Sequence, residues 1–382
     1  MVIVVIAGQS VGRRPARRSV QVGRQLLITR PVRAAAGALG IGLALMMILV
    51  LDGLWTGVRE RVTTFEDHSG AQLAVVDAGT QSLFAEPSVL PSSVVDQVAA
   101  VRGVSRVSGV RTTYSILELH TGKAAVALVG FTPGGLGGPW ELTAGRLPRD
   151  GEVAVDSLFA DKHGLVLGGL LPVLGDDLPI VGLTGGTAMF MTPLVFTTDA
   201  TLTGLLRAPG TTGAVLVATP DPGGVADRLR AAGYSVRTVA DLRDASLQMA
   251  TRIYGGPVRL MVGVAFAAGV LIVALVAYTL VAEHRRDFGV LKALGATPGR
   301  LRRLALMQTM SLTALGAGAA VVLLLVARVV IGAWRPEFPV SVTGGSLTRA
   351  ALAAVGMAAL AAWVPARQVT HLDAAAAFRS QT

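Results

Sequence analysis

Cysteine is absent from the 382-residue chain, and charged residues make up only 15% of it. Without cysteine the protein can form no disulfide, has no thiolate nucleophile and has no cysteine-ligated zinc or iron–sulfur site. A soluble domain has about 25% charged and about 45–50% apolar residues. In this chain 52% of the residues are apolar. The low charge and the apolar content together indicate a membrane protein.

A phosphate-binding loop of the Walker A type is also missing. The chain contains one Gly-Lys pair, Gly122-Lys123, which is followed by Ala124 where the motif has serine or threonine. The position five residues before Gly122, where the motif has another glycine, is Leu117. We therefore predict that the chain is not itself an ATP-hydrolysing enzyme and binds no cofactor directly.

Catalytic and metal-binding patterns are equally scarce. His68, His120 and His163 are scattered, and none belongs to a metal-ligand motif such as H-E-x-x-H. A G-x-S-x-G pattern surrounds Ser10, but two arginines and a proline follow it in place of the helix that a serine-hydrolase nucleophile elbow requires. We predict no catalytic residue and no metal ligand.

Four apolar stretches divide the chain. A span needs about 20 apolar residues to cross the ~30 Å hydrocarbon core of a bilayer. We predict transmembrane helices over residues 34–55, 255–282, 300–334 and 346–364, the last with Arg349 reaching toward the interface. The remaining segments are a basic N-terminal segment (1–33), a large domain (56–254), a connecting segment (283–299), a short external loop (335–345) and a tail (365–382).

The distribution of charge predicts the orientation of these helices. Residues 1–33 contain seven arginines and no acidic residue, whereas residues 56–254 contain 15 basic and 19 acidic residues. Basic residues next to spans remain in the cytoplasm. We therefore predict a multi-pass protein of the cell membrane with both termini in the cytoplasm and residues 56–254 outside. The net charge of +10 is then explained by the basic residues on the cytoplasmic side of the membrane, and no nucleic-acid partner is predicted.

The sequence of the large domain predicts an α+β fold. Short alternating or β-branched runs predict strands, among them 104–110, 114–119, 124–131, 189–197 and 213–219. Helical segments at 92–101, 225–232 and 241–254 are interleaved with them, and the last leads into the second span. Because residues 133–186 are rich in glycine and proline, we predict that they form an inserted subdomain.

Small residues recur on one face of the first predicted span. Ala36, Gly40 and Ala44 are four residues apart, a spacing that lets two helices approach closely. Packing inside the chain and packing between two subunits explain this pattern equally well.

Ionisable residues also lie near the ends of the spans. Asp52 follows the first span, Arg259 opens the second and Arg328 lies near the outer end of the third. These side chains could pair with one another, or each could extend separately to the lipid headgroups.

The connecting segment predicts a short amphipathic helix on the cytoplasmic face. Phe288, Leu291 and Leu294 follow at a spacing of three among charged residues, and Gly295 with Pro298 beyond it predicts the end of the helix. An apolar face on such a helix requires lipid or a protein partner.

This segment resembles the permease subunits of the ABC transporter family that contains FtsX, MacB and the lipoprotein-release permeases, which are mechanotransmission-type (type VII) permeases. Residues 283–297 read E-H-R-R-D-F-G-V-L-K-A-L-G-A-T, similar to the family's E-R-R-x-E-I-G-V-L-K-A-L-G-A-S. Residues 145–153 resemble its G-R-x-P-x-x-G-E-V motif, and residues 365–379 resemble its P-A-R…D-P-x-x-A-L-R ending, with Ala374 where proline is usual.

The resemblance implies an α-helical membrane protein with four transmembrane helices and a large extracytoplasmic α+β domain between helices 1 and 2. It also implies three partners: an ABC ATPase subunit in two copies, which brings ATP and Mg; a second permease chain, identical or related; and membrane lipid. The residues to which it assigns coupling with the ATPase are Glu283, Arg285, Arg286, Asp287, Phe288, Gly289, Leu291, Lys292, Leu294 and Gly295.

The function implied by the resemblance is that of a permease subunit. It would couple ATP hydrolysis by a separate subunit to movement of the extracytoplasmic domain, for export or extraction of a lipid, lipoprotein, peptide or drug. The alternative is a mechanical regulator of an extracytoplasmic cell-wall enzyme with no transported substrate.

Overall fold

The computed structural model describes residues 31–86, 88–283, 290, 294–334, 338 and 340–361. Contacts divide the chain into two compact units. We call one the helical unit (residues 1–53, 257–330 and 342–382) and the other the sheet unit (residues 54–256 and 331–341).

The helices of the described residues are numbered in chain order. They are α1 (Pro31–Val62), α2 (Thr64–His68), α3 (Ser93–Ala99), α4 (Ser157–His163), α5 (Asp199–Leu205), α6 (Pro222–Ala231), α7 (Val239–Glu283), α8 (Pro298–Trp334) and α9 (Gly344–Ala361).

The strands are β1 (Leu73–Val76), β2 (Leu90–Pro91), β3 (Arg106–Leu119), β4 (Gly122–Phe131), β5 (Leu142–Gly145), β6 (Val153–Asp156), β7 (Leu170–Val173), β8 (Asp176–Thr184), β9 (Ala188–Met189), β10 (Thr192–Thr198), β11 (Thr211–Thr212), β12 (Ala214–Ala218) and β13 (Ser235–Thr238).

Helices α1, α7, α8 and α9 are each long and apolar enough to cross a membrane. Together with the sheet-rich domain between the first and second of them, they confirm the predicted fold class. Helix α7 starts well before its apolar stretch. Its 45 residues begin in the sheet unit and continue into the helical unit, and Pro257 is the residue of α7 at which the helical unit begins.

Small residues let α1 and α8 approach closely inside the helical unit. A Cβ atom added at Gly42 would lie 3.0 Å from the Ala319 Cβ, and one added at Gly316 would lie 2.7 Å from the Ile41 Cβ. Ile41 itself is fully buried. Glycine at these positions removes the side chains that would otherwise hold the two backbones apart.

The core of the sheet unit is a single eleven-stranded sheet. Its main path runs β13-β1-β12-β3-β4-β10-β6-β8-β5, while β7 pairs with β8 and β9 with β10. Most neighbouring strands are antiparallel, but β10 runs parallel to β4 and β6 runs parallel to β8. Strands β5 to β8, which come from the region of the predicted inserted subdomain, extend this same sheet.

Three of the predicted strands differ in extent from the observed ones. The runs predicted around 104–110 and 114–119 form one continuous strand, β3, because they pair without interruption with β12 and β4. The run predicted over 189–197 is instead interrupted at Phe190 and Met191, which form the turn between β9 and β10. Met191 has a φ of +58°, and this turn reverses the chain direction.

Buried side chains pack on both faces of the sheet. One cluster contains Phe65, Phe131 and Phe196, and it also includes Leu242 near the start of α7. Another packs Phe159 of α4 with strands β4, β6, β7 and β8. Because Leu242 is 1% exposed, the first turns of α7 are part of the hydrophobic core of the sheet unit.

Candidate functional site

The predicted coupling segment connects the end of α7 to the start of α8. The Leu294 backbone N–H donates to the Val290 carbonyl at 2.9 Å, and Gly295 has a φ of +87°, the left-handed conformation of a helix-terminating glycine. The Leu294 side chain is 79% exposed. Glu283 is the last residue of α7. The other predicted coupling residues lie outside the described residues: Arg285, Arg286, Asp287, Phe288, Gly289, Leu291 and Lys292.

The small residues of α1 face another helix of the same unit. A Cβ added at Gly40 would lie 3.3 Å from the Ile272 Cγ2, and one added at Gly269 would lie 3.3 Å from the Ala44 Cβ. Gly40 and Ala44 therefore pack toward α7, whereas Ala36 is exposed. This packing is internal to the chain, and a role in dimer formation stays a prediction.

An acidic residue of α1 is paired with an arginine of α9 inside the helical unit. The Arg349 Nε and Nη2 groups donate to the Asp52 Oδ1 and Oδ2 atoms, each at 2.8 Å. Two parallel N–H···O bonds of this kind form the strongest geometry available to an ion pair. The sequence drew attention to Asp52 and to Arg349 separately, but nothing local linked residues 297 positions apart.

A second acidic residue, Glu66 in α2, is buried in the sheet unit. It is 3% exposed, and its Oε1 atom accepts a hydrogen bond from the Ser246 hydroxyl of α7 at 2.8 Å. Its Oε2 atom has no hydrogen-bond partner among the described residues. Burial raises the pKa of Glu66 to about 7, although the Ser246 hydrogen bond acts in the opposite direction.

An ion pair reinforces the same junction between α2 and α7. The Arg243 Nη1 lies 3.2 Å from the Asp67 Oδ1, and the Thr63 hydroxyl donates to the Asp67 Oδ2 at 2.8 Å. Together with the Glu66 hydrogen bond, these contacts hold the chain that leaves α1 against the first turns of α7. Sequence analysis did not single out Glu66, Asp67, Arg243 or Ser246, because their partners are about 180 residues away.

The family-like motif at residues 145–153 forms one turn. The Arg146 guanidinium binds both carboxylate oxygens of Glu152 at 2.5 and 2.6 Å, and the Arg149 backbone N–H donates to Glu152 at 2.9 Å. The Arg146 hydrogen bonds lower the pKa of Glu152 to about 2. Gly145 has a φ of +78°, and a Cβ there would lie 2.2 Å from the Val181 carbonyl oxygen, so the position requires glycine.

Two of the three histidines considered as ligands, His68 and His163, contact side chains and backbone groups of the sheet unit. The His68 ring stacks on Trp140 with centroids 4.6 Å apart, and its Nδ1 lies 2.8 Å from the Thr64 carbonyl oxygen. The His163 Nδ1 lies 2.5 Å from the Thr121 hydroxyl. Within the described ranges, no group of three or more His, Asp or Glu side chains is placed to hold a metal ion. Ser10 lies outside those ranges.

The membrane part of the chain matches a known family. Residues 259–374 match the model of the FtsX-like permease C-terminal family. The Mycobacterium tuberculosis H37Rv protein "Uncharacterized ABC transporter permease Rv0072" is 29% identical over 361 residues, which cover 91% of this chain and 96% of that protein. "Uncharacterized ABC transporter permease Rv2563" from the same strain is 29% identical over 357 residues with the same coverage.

Two solved structures are each similar to a part of the chain. The periplasmic region of MacB from Actinobacillus actinomycetemcomitans matches with a TM-score of 0.35 at 12% identity, over 46% of this chain and 92% of that one. The extracellular domain of the ABC-type transporter YknZ from Gram-positive bacteria matches with a TM-score of 0.34 at 13% identity, over 44% of this chain and 98% of that one.

The family match covers α7 from residue 259 onward, the segment that connects α7 to α8, and the apolar helices α8 and α9. The ABC transporter permeases align along nearly the whole chain, including the sheet-rich domain that follows the first helix. The chain is therefore similar to FtsX-like permeases over residues 259–374 and to proteins named ABC transporter permeases over nearly its whole length.

Proposed function

We propose that the chain couples ATP hydrolysis by a separate ATPase subunit to movement of its sheet unit, for export or extraction of a lipid, lipoprotein, peptide or drug. The observation that best supports this function is the continuity of α7. The helix begins inside the core of the sheet unit and ends at the segment predicted to bind the ATPase.

A continuous helix of this length is suited to transmitting displacement. Its backbone hydrogen bonds run along the axis except at Pro257, which has no N–H to donate, so a displacement at one end is carried along most of the helix with little compression. At the sheet end, Leu242 is buried and Ser246 is hydrogen-bonded to Glu66, so movement of α7 has to move α2 as well. At the other end, the chain passes from Glu283 directly into the predicted coupling segment.

The exposed end of the coupling segment supports a protein partner there. Leu294 is 79% exposed and Val290 is 40% exposed, one helical turn apart. Apolar side chains in such a position gain free energy when a partner covers them. In this proposal Leu294 enters a groove on the ATPase, while the charged residues of segment 283–292 fix the orientation through rim contacts.

The complex would contain two ATPase subunits, which bind ATP and Mg, and a second permease chain, either identical or related. Both termini and the coupling segment would lie in the cytoplasm, because the basic residues flank these parts of the chain. The sheet unit would then lie outside the membrane, where its movement acts on the cargo.

The test is co-purification of the tagged permease with its ATPase subunit from mild detergent, for the native chain and for Leu294→Ala. We expect association to weaken about tenfold, since removing most of a buried leucine costs about 1.5 kcal/mol. The matched control is Leu352→Ala, because Leu352 is 72% exposed but belongs to the apolar helix α9. Equal association of both variants with the ATPase would contradict the proposed docking.

A further inference from the structure

A hairpin of the sheet unit separates two cavities. Strands β9 and β10 form this hairpin, and Met189 and Thr192 line the cavity on each side of it. The larger has a volume of about 490 Å³ and the smaller about 140 Å³. We call the larger one the hairpin cavity. Its volume falls within the range of about 300–1,000 Å³ that is typical of small-molecule sites.

Most of the hairpin cavity is apolar. Its wall includes Leu158, Phe159, Met191, Pro193 and Trp334. Leu158 is 38% exposed, Met191 58% and Trp334 82%, so much of this apolar surface is open. A surface of flexible methionine and aromatic side chains suits an alkyl chain better than a rigid polar ligand.

A single arginine supplies an anion-binding group next to the apolar wall. The Arg61 Nη1 donates to the Ala188 carbonyl at 3.2 Å, which fixes the guanidinium beside the hairpin. A guanidinium has five N–H donors and binds phosphate well, so this one bond leaves capacity for a ligand. Asp156, which also lines the cavity, accepts hydrogen bonds from the start of α4 and from Thr187 and is occupied by the fold.

The remaining charges around the cavity balance each other. Asp161 and Lys162 lie next to one another at its edge, on α4. With Arg61 and Asp156 they bring the formal charge of the lining to zero. A strongly charged ligand would gain little from such a wall. A head group that contains a phosphate but is neutral as a whole matches it.

Two of the residues that line the hairpin cavity lie at or near the ends of long apolar helices. Trp334 is the last residue of α8, and Arg61 is one residue from the end of α1. Both helices are long and apolar enough to cross a membrane. Tryptophan at the end of such a helix lies at the level of the lipid head groups. An alkyl chain could therefore enter the cavity without crossing bulk water.

The hairpin also contacts the helix proposed to carry movement. Phe190, at its turn, packs edge to face against Tyr254 of α7, with ring centroids 5.4 Å apart. Tyr254 and Ile253 line the smaller cavity together with Phe190. A ligand that holds Met191 on one side of the hairpin thus acts on side chains that pack against α7 on the other side.

We propose that the hairpin cavity binds an amphiphile with an alkyl chain and a phosphate-containing head group. The alkyl chain lies against Phe159, Met191 and Trp334, and the phosphate binds Arg61. This inference rests on the proposed function, because it names the class of cargo that the permease would take up.

The test is photolabelling of the full-length protein in a phosphate-free detergent with lysophosphatidylethanolamine that carries a diazirine in its acyl chain. Peptide mapping is expected to place the label in residues 188–193 and 331–334. Leu158→Glu should reduce this labelling at least fivefold, because it puts a charge on the alkyl-binding wall. Leu167→Glu is the control, since Leu167 is 42% exposed in the same unit but does not line the cavity.

A second comparison tests the head group. Arg61→Gln should lower labelling by the phosphate-bearing probe about fivefold and leave labelling by a diazirine monoacylglycerol unchanged. The control is Arg59→Gln, because Arg59 is exposed on the same helix and lies outside the cavity lining. If Arg61→Gln lowers labelling by the monoacylglycerol as much as labelling by the phosphate-bearing probe, the proposed role of Arg61 is overturned.

Labelling that is equal in Leu158→Glu and Leu167→Glu, or that is spread over the membrane helices, would overturn the site itself. These outcomes are independent of the ATPase, because labelling requires no nucleotide. Site-specific labelling without co-purification of an ATPase would contradict the proposed function and support the binding site. Co-purification of an ATPase without site-specific labelling would support the proposed function and contradict the binding site.

Discussion

The two units bury different kinds of side chain and give their acidic residues different partners. In the helical unit, glycines such as Gly42 and Gly316 bring helices into contact. In the sheet unit, large residues such as Phe131 and Phe196 fill the space between the strands and the helices. Lipid gives helices no hydrophobic reason to associate, so close backbone contact has to provide the attraction, whereas water drives large apolar groups into a core.

The acidic residues show the same contrast. Asp52 of the helical unit has the guanidinium of Arg349 as its partner, with two hydrogen bonds. Glu66 of the sheet unit has a hydroxyl group as its hydrogen-bond partner and a raised pKa. The first carboxylate is stabilised as an ion by an opposite charge, and the second is easily protonated because it is buried.

The largest effect is expected from filling the contact between α1 and α8. Gly316→Val should lower the free energy of unfolding by about 3 kcal/mol, because even a Cβ atom there lies within 2.7 Å of Ile41. Gly318→Val is the matched control, since a Cβ at Gly318 has no neighbour within 4 Å. The measurement is thermal unfolding of the detergent-solubilised protein. Similar melting temperatures for the two variants would mean that α1 and α8 do not pack as described.

A smaller effect is expected from the pH dependence of Glu66. A pKa raised from 4.5 to about 7 means that the folded state binds the proton more tightly than the unfolded state. Its contribution to stability is thus complete below about pH 4.5 and is lost as the pH rises toward 7. The expected loss between pH 5 and pH 7 is about 2 kcal/mol.

Glu66→Gln should remove this pH dependence, because glutamine does not titrate. The measurement is unfolding of the native chain and of the variant at pH 5 and pH 7. Glu118→Gln serves as the control, because the Glu118 side chain is 76% exposed and its removal should leave the pH profile unchanged. An identical pH profile for Glu66→Gln and the native chain would show that Glu66 is not the group responsible.

The smallest effect is expected from the ion pair of the helical unit. The Arg349 side chain is 57% exposed and that of Asp52 19%, so solvent screens the interaction. A double-mutant cycle with Asp52→Asn and Arg349→Gln should give a coupling free energy of about 1 kcal/mol. The same cycle on Glu118 and Lys123, which are both largely exposed, should give about 0.3 kcal/mol or less. Equal coupling in the two cycles would remove the distinction between them.

Much of the architecture could be predicted because it depends on local pattern. Apolar length predicted the four helices that are long and apolar enough to cross a membrane, and alternation predicted the positions of β4 and β12 closely. The glycine stop at Gly295 was predicted from its place after an apolar run, and the structure gives it the matching left-handed backbone. Each of these signals lies within a few residues of the feature that it predicts.

The strand boundaries that were predicted wrongly depend on residues far away in the sequence. A continuous β3 cannot be told from two short strands until β4 and β12 are known to pair along its whole length. The opposite error occurred at β9 and β10. One strand was predicted where there are two, because a single apolar run spans the turn at Phe190. Pattern alone describes the faces of a strand and does not reveal where the chain reverses.

The sequence by itself determined that four segments are long and apolar enough to cross a membrane and that a sheet-rich domain follows the first of them, and its motifs pointed to a similarity with FtsX-like permeases. These conclusions follow from hydropathy, alternation and motifs, which are properties of neighbouring residues. Only the tertiary structure decided that Asp52 meets Arg349, that Glu66 meets Ser246 and that a cavity opens beside the β9–β10 hairpin. The reason is physical: burial and pairing are properties of side chains that folding brings together from positions some 100 to 300 residues apart.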